Sequence, residues 1–439
     1  MATLTCSPRR ATALHLICAG TVAFATVPAL AADDWEDDWA DDPWAEEQES
    51  GWPVEVSGFV ELAGGHHIRD NQVLDKDYNL AEARVRLEGR GDWKEMEYQV
   101  KADAVTDQVT EETRGKLREA RLAFPLGSNI DMRAGRQVLA WGTGDLLFIN
   151  DLFPKDFQAF LTGRDADYLQ GTSDAVRATW YGQNLTLDLV WTPLFEPDNY
   201  PQGDRLSYFN RNLRGQTDNS LDADTPDGFP DDGELAAQLQ TRIDSAELAG
   251  YLYRGFFPQP SKQVANGLTH GRLDAYGASI RDRLGSGIAN AEIGYYHSVD
   301  YDSDAPSAAP NSQARLLVGY NWEAVTNLNV GLQYYLEWLQ DYAELEDEMD
   351  EKFIPEEFRD LITTRLTYSI WRDNLTGSLF TFYSPADNDY YLRPSLTYRA
   401  SDKLTYSAGG NLFGGQDQHT FWGQFEHDSN LYARVRYRF

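Results

Sequence analysis

The sequence predicts an all-β fold: a transmembrane antiparallel up-and-down β-barrel of about 18 strands, within a range of about 16 to 20, with one long loop folded inward. Three observations carry this prediction. The chain ends in a strictly alternating strand, similar segments recur between residues 53 and 439, and the average composition is polar although the chain is rich in aromatic residues.

The last nine residues, LYARVRYRF, alternate between two kinds of side chain. Successive side chains of a strand point to opposite faces, so this segment has one apolar face and one basic face. The apolar face holds Leu431, Ala433, Val435, Tyr437 and Phe439, and the other holds Tyr432, Arg434, Arg436 and Arg438. One face suits lipid and the other suits water, as in a membrane barrel.

The composition favours a β-barrel over transmembrane helices. No apolar run of about 18 residues follows the first 31 residues, which disfavours a helical span. The chain nevertheless carries 24 Tyr, 20 Phe and 12 Trp, with a mean hydropathy of −0.54. A barrel whose strands are only half apolar has such an average.

Alternating segments of about ten residues recur from Pro53 onward. The clearest is 326–339, where a period of two persists too long for a helix. Eighteen such segments give an even number, with both chain ends on the same side of the membrane. Short turns are predicted at 89–92, 127–129, 182–184, 285–287, 372–374 and 401–402.

The N-terminus predicts export. Arg9 and Arg10 precede an apolar run, and Ala29-Leu30-Ala31 is a cleavage pattern. We therefore divide the chain into a signal peptide (1–31), an acidic Trp-rich periplasmic tail (32–52) and the barrel (53–439). Both cysteines would leave with the signal peptide, which excludes a disulfide framework and a thiolate metal site.

The tail contains ten acidic residues and no basic one. It is either a solvated extension, a docking segment for a basic periplasmic protein, or a plug for a basic lumen. The net charge of the whole chain is −32, which argues against nucleic acid as a partner.

The wall of the predicted lumen is basic although the chain is acidic. If apolar positions face lipid, sixteen basic and nine acidic side chains turn inward, and an excess of arginine can set the sign of the solutes that pass. Pairing between arginines and carboxylates would weaken that effect. The pore-lining residues we predict are Arg84, Arg86, Arg133, Arg177, Arg315, Arg365, Arg434, Arg436 and Arg438.

The segment GRQVLAWGTGDLLFINDLFPKDFQAFL, residues 135–161, contains too many apolar residues for a solvated loop. We expect it to fold inward and narrow the lumen, with its acidic residues facing wall arginines. The alternative is a loop packed over the extracellular mouth or against a neighbouring protomer. The predicted constriction residues are Trp141, Asp145, Asp151 and Asp156.

This segment, the later WTPLFEPDNYP (residues 191–201) and the closing strand resemble long porin-like outer-membrane proteins of Gram-negative bacteria. The group includes alginate-export-type barrels and barrels that accompany envelope exporters. The resemblance implies an outer-membrane location and passive or partner-coupled passage of small solutes. It also implies contact with outer-membrane lipid, lipopolysaccharide and the barrel assembly machinery.

The sequence suggests two further candidate sites. The spacing of Asp222, Asp224 and Asp227 resembles that of the aspartates in a calcium-binding loop, but it differs from the D-x-D-x-D-G pattern by one residue. The alternative is an acidic loop that binds no specific cation. Apart from this calcium hypothesis, no cofactor is expected. His297, Ser298 and Asp300 form the one local cluster that suggests a hydrolase, yet strand neighbours point to opposite faces. We therefore predict a channel for small anionic solutes and no enzyme. The alternatives are a closed barrel that acts as an adhesin or scaffold, the outer-membrane partner of an envelope exporter and, last, an outer-membrane hydrolase.

Overall fold

The computed structural model describes residues 54–439, except residues 212, 222, 265–266, 306–307 and 350. The predicted signal peptide and acidic tail lie outside the described residues. Within the described part of the chain, no helix is long and apolar enough to span a membrane.

Eighteen antiparallel strands form a closed barrel. Each strand pairs with the next one along the barrel, and the last strand pairs with the first, with Glu61 opposite Arg436. The barrel strands are β1 (Glu55–His67), β2 (Leu80–Trp93), β3 (Met96–Asp107), β4 (Glu112–Pro125), β5 (Ile130–Gln137), β6 (Ser173–Tyr181), β7 (Leu185–Thr192), β11 (Glu234–Ile243), β12 (Ala246–Phe256), β15 (Arg272–Leu284), β16 (Gly287–Ser298), β17 (Gln313–Val325), β18 (Leu328–Leu339), β19 (Phe358–Ile370), β20 (Leu375–Ser384), β21 (Asp389–Arg399), β22 (Leu404–Gly415) and β23 (Asn430–Arg438).

Shorter elements lie in the long connections. Two small sheets contain β8 (Tyr208–Asn210), β9 (Gly215–Thr217), β10 (Ala223–Asp224), β13 (Lys262–Val264) and β14 (Gly267–Thr269). The helices are α1 (Phe157–Thr162) and α2 (Tyr342–Glu348), with 3-10 helices at Ala166–Tyr168, Glu351–Phe353 and Gly423–Asp428.

The predicted strand number and alternation are confirmed. On β1, Phe59 and Glu61 are buried, whereas Val60 and Leu62 are 41% and 60% exposed. The outward residues form the apolar surface that a barrel presents to lipid. Long connections gather at one end of the barrel and short turns at the other, and by the usual rule these ends are extracellular and periplasmic.

One predicted turn is wrong. Residues 89–92 continue β2, and the chain reverses at Lys94 and Glu95, where Lys94 adopts a φ of 58°. Gly89 and Gly91 pair with Val100 and Tyr98 of β3, so these glycines belong to the strand ladder.

Strict alternation breaks once in β4. Lys101 pairs with Glu119 and Ala102 with Leu117, so Arg118 is an extra residue at a β-bulge. A bulge allows consecutive side chains to turn to the same face. Arg118 is buried, Glu119 contacts Lys101 at 2.8 Å, and Leu117 is 47% exposed on the outside.

Candidate functional site: the inward loop and the lumen wall

The connection between β5 and β6, residues 138–172 and hereafter the inward loop, folds into the barrel and contacts lumen-facing side chains. On one wall, the Glu292 carboxylate of β16 accepts hydrogen bonds from the Gly144 backbone N–H (2.8 Å) and from Asn150 Nδ2 (2.9 Å). On β18, Gln333 accepts from the Asp145 backbone N–H at 2.7 Å and donates to the Asp145 carbonyl at 2.8 Å. The first half of the loop is therefore fixed to β16 and β18.

The second half of the loop is fixed to a different part of the wall. Asp165 Oδ2 lies 2.8 Å from Arg434 Nη1 and 2.9 Å from Arg436 Nη2, both on β23. Burial by itself would raise the pKa of Asp165, but Arg436 and Arg434 hold it below its usual value. The carboxylate is thus charged at neutral pH and neutralises part of the wall.

Tyr168 attaches the same segment to the adjoining strands. Its hydroxyl accepts a hydrogen bond from Arg86 Nη2 at 2.9 Å. Its ring lies near three guanidinium groups, with centroid distances of 4.4 Å to Arg84, 4.9 Å to Arg86 and 5.0 Å to Arg118. Cations over a buried ring face are attracted to it. Arg118 reaches this ring because of the bulge in β4.

Local sequence shapes the loop between these anchors. Asp156 caps α1 by accepting from the Ala159 backbone N–H at 2.8 Å. Gly163 ends the helix with a φ of 88°, a conformation that glycine adopts without steric cost. A β-carbon at Gly163 would also collide with the ring of Tyr432.

The apolar residues of the inward loop pack against the wall, as a loop of this composition requires. Two buried clusters join them to inward-facing aromatic side chains of the barrel. The wall members include Tyr253, Tyr296, Phe380, Phe382, Tyr391 and Phe413. Our assumption that aromatic residues face only lipid is therefore wrong for the extracellular half of this wall.

The three aspartates predicted at the constriction have different partners. Asp145 Oδ2 lies 3.0 Å from Nε of Arg365 on β19, and burial raises its pKa despite that arginine. Asp151 pairs within the loop with Lys155 at 3.0 Å, and Asp156 serves as the helix cap. Asp151 therefore has its ion-pair partner within the loop, whereas Asp156, besides capping α1, also interacts electrostatically with Arg118 of the wall strand β4.

Trp141, the fourth predicted constriction residue, lies where the inward loop leaves β5. Its Nε1 donates to Asp188 Oδ2 at 3.3 Å, and its ring meets Phe153 edge-on at a centroid distance of 4.9 Å. Asp188 also pairs with Arg177 at 2.6 Å. Two predicted site residues are thus joined by one carboxylate that strand β7 supplies.

Most of the predicted pore-lining arginines have carboxylate partners. The pairs are Arg84 and Arg86 with Asp103 (2.9 and 2.6 Å), Arg177 with Asp188 (2.6 Å), Arg315 with Glu337 (3.1 Å), Arg365 with Asp145 (3.0 Å), Arg434 with Asp165 (2.8 Å) and Arg436 with Glu61 (2.7 Å). The loop carboxylates Asp145 and Asp165 supply partners that counting strand residues alone could not include.

Three other arginines lie together on β21 and β23, with carboxylates of Glu61, Asp165 and Asp373 in the same lining. A recess of about 290 Å³ is lined by Arg393, Arg399 and Arg438 beside the paired Arg434 and Arg436. We call it the basic recess. Among the described residues, no ion pair involves the first three, and Arg438 Nη1 donates to Thr405 at 3.3 Å. Arg133, exposed opposite Arg177 on β6, likewise forms no ion pair with a described residue.

Sequence reasoning missed several residues that hold the loop. Arg164 forms an ion pair with Glu82 of β2, and Arg205, from the connection after β7, is fully buried against Asp107 of β3. Burying a charged side chain costs so much free energy that it requires partners of opposite charge. No pattern in the sequence connects residue 205 to residue 107, because only the closed barrel brings them together.

Comparison with known proteins supports this architecture. No protein-family profile and no curated protein matches the chain. Among solved structures, Acinetobacter baumannii OccAB3 is similar with a TM-score of 0.54 and 12% identity, covering 88% of this chain and 99% of that one. The fold is that of a Gram-negative outer-membrane porin.

Two Pseudomonas aeruginosa porins agree. OccD3 (OpdP) has a TM-score of 0.53 and 12% identity, with coverage of 88% and 91%, and OccK5 (OpdH) a TM-score of 0.51 and 12% identity, with coverage of 88% and 97%. The predicted porin-like barrel fold is thereby confirmed, and a closed barrel with an apolar outer surface fits the predicted outer-membrane location. The likeness to alginate-export barrels stays a prediction.

The described residues form neither of the two further candidate sites, the calcium loop and the hydrolase cluster. Asp222 lies outside the described residues, and no group of three potential metal ligands occurs in the described part of the chain. His297 is exposed while Ser298 is buried on the other face of β16, and Asp300 accepts from the Arg272 backbone N–H at 2.7 Å. The three side chains therefore do not form a catalytic cluster.

Proposed function

We propose that the protein is an outer-membrane channel that passes small solutes and prefers anions, and that the inward loop forms its constriction. The observation that carries this proposal is the basic recess, where Arg393, Arg399 and Arg438 form no ion pair with a described carboxylate. Unpaired charge beside a narrow passage attracts ions of opposite sign and repels those of like sign.

The position of the unpaired arginines gives this preference its physical basis. Arg393 lies over the ring of Phe160 on α1, at 4.4 Å from its centroid, so one recess cation touches the inward loop directly. Elsewhere the loop neutralises wall cations through Asp145 and Asp165. An anion that passes the loop therefore meets free guanidinium groups on the periplasmic side.

The direct test is recording from the purified full-length protein in a planar lipid bilayer with a KCl gradient. The proposal predicts steps of stable conductance and a reversal potential displaced toward the Nernst potential of chloride. A reversal potential on the potassium side would contradict anion preference. A correctly folded barrel that produces no current would instead support the closed adhesin or scaffold.

A further inference from the structure

A second space in the barrel differs in chemistry from the basic recess. It is a cavity of about 450 Å³ at the long-loop end, bounded by the inward loop, by the connections after β12 and β22, and by β17–β19. We call it the vestibule cavity. Its size falls within the range of small-molecule sites, roughly 300–1,000 Å³. Aromatic side chains dominate its lining, including Phe148, Phe157, Phe257, Tyr296, Phe421 and Trp422.

The cations of the vestibule cavity are already neutralised. Each of the three has a carboxylate partner, and each lies over an aromatic ring: Lys155 with Asp151 (3.0 Å) over Phe148 (4.9 Å), Arg315 with Glu337 (3.1 Å) over Tyr296 (4.0 Å), and Arg359 with Asp387 (2.9 Å) over Phe421 (5.1 Å). A fourth carboxyl, Asp198, also lines the cavity and accepts a hydrogen bond from the Lys155 backbone N–H at 2.7 Å. The cavity therefore offers a solute ring faces and aliphatic groups, and no unpaired cation.

The two spaces meet at one side chain. Phe160 of α1 lines the vestibule cavity, and its ring also contacts the guanidinium group of Arg393, which lines the basic recess. The inward loop thus separates an aromatic-lined space on the extracellular side, whose cations are all paired, from a basic space on the periplasmic side. Their different chemistry implies different occupants.

We propose that the vestibule cavity binds small uncharged solutes that carry an apolar ring, as a binding site distinct from the anion path. A ring-bearing solute gains by burying its faces against Phe148, Phe257 and Phe421. An anionic solute would lose its hydration there and would have to displace a carboxylate that already pairs with a cavity cation. The site holds whether or not the barrel prefers anions.

The test uses benzyl alcohol as the probe and the full-length protein in lipid nanodiscs. Its binding is followed by ligand-observed NMR line broadening, with empty nanodiscs as the baseline for lipid partition. Two substitutions address the cavity: Phe421→Ser removes an aromatic wall, and Gln259→Trp, at an exposed lining residue, fills the space. Phe229→Ser is the matched control, since Phe229 is a 68% exposed loop residue that does not line the cavity.

Saturable broadening is expected for the native protein and for Phe229→Ser, with an affinity about tenfold lower in each cavity variant. Broadening equal to that of empty nanodiscs, or unchanged by both cavity substitutions, would overturn the site. Tighter binding of benzoate than of benzyl alcohol would overturn the assignment to uncharged solutes. Because NMR does not depend on conduction, these outcomes are independent of the reversal potential that tests anion preference.

Discussion

The Oδ2 atom of Asp165, on the inward loop, lies 2.8 Å from Nη1 of Arg434, on the last strand of the barrel. The same oxygen lies 2.9 Å from Arg436 Nη2. One carboxylate therefore holds the loop to the wall and also removes positive charge from the rim of the basic recess. Loop position and lumen charge are coupled through this contact.

Replacing Asp165 with asparagine should increase anion preference. The substitution leaves Arg434 without its carboxylate partner and leaves Arg436 with Glu61 alone. The reversal potential in a KCl gradient should move further toward that of chloride. Asp167→Asn is the control, since Asp167 is an exposed residue of the same 3-10 turn. A shift of equal size in both variants would show that general surface charge, and not this contact, is responsible.

Acidification should also increase anion preference, through Asp145. Burial raises the pKa of this carboxyl, so it loses its charge at a higher pH than an ordinary aspartate with a pKa of about 3.9. Arg365 then loses its partner and the lumen becomes more positive. Asp165 behaves oppositely, because its lowered pKa keeps it charged and paired until the solution is more acidic.

The test measures the reversal potential in a KCl gradient at a series of pH values, from neutral down to about the ordinary pKa of aspartate. Asp145→Asn should show stronger anion preference at neutral pH and a smaller change on acidification than the native protein. Asp198 titrates at a higher pH than an ordinary aspartate, because burial raises its pKa to about 7. The variant Asp198→Asn therefore shows how much of the change in reversal potential comes from Asp198. An unaltered pH profile in Asp145→Asn would contradict the role of the Asp145–Arg365 pair.

Tyr168 should hold the inward loop mainly through its ring. Tyr168→Phe keeps the ring between Arg84, Arg86 and Arg118 and loses only the hydrogen bond to Arg86. Tyr168→Ala loses both, and three arginines are left without the ring they contact. Single-channel recordings should show near-native conductance for Tyr168→Phe, and larger, noisier conductance for Tyr168→Ala. Equal traces from both variants would mean that the ring does not anchor the loop.

Gly163 should not tolerate a side chain. Alanine there would adopt an unfavourable φ of 88° and collide with Tyr432, so we expect destabilisation by more than about 1 kcal/mol. Urea unfolding in detergent micelles measures the loss. Gly64→Ala is the control, because a β-carbon at Gly64 meets no atom within 4 Å. Similar midpoints for both variants would contradict this explanation of Gly163.

The eighteen strands were predictable because each carries its own pattern. Leu431 to Phe439 alternate between lipid and lumen, and a period of two is legible in a single segment without knowledge of the neighbours. The even strand number followed from the same pattern. The direction of some charged side chains was also predictable from this pattern, since Arg434 and Arg436 do turn inward.

The rest depended on contacts between distant residues. A bulge depends on two strands at once, so Arg118 could not be placed by alternation within β4. Inward aromatic residues such as Phe382 and Tyr391 look lipid-facing until the loop that covers them is known. The pairing of Asp165 with Arg434 spans 269 positions, and only the closed barrel reveals it.

The central claim is that unpaired arginines of the basic recess give the channel its preference for anions. Its most direct test is the reversal potential of a variant that combines Arg393→Gln, Arg399→Gln and Arg438→Gln, compared with Arg254→Gln, a control on the outer surface with a 78% exposed side chain. We predict that the combined variant loses most of the displacement toward the chloride potential, whereas the control keeps it. An unchanged reversal potential in a folded, conducting combined variant would contradict the account.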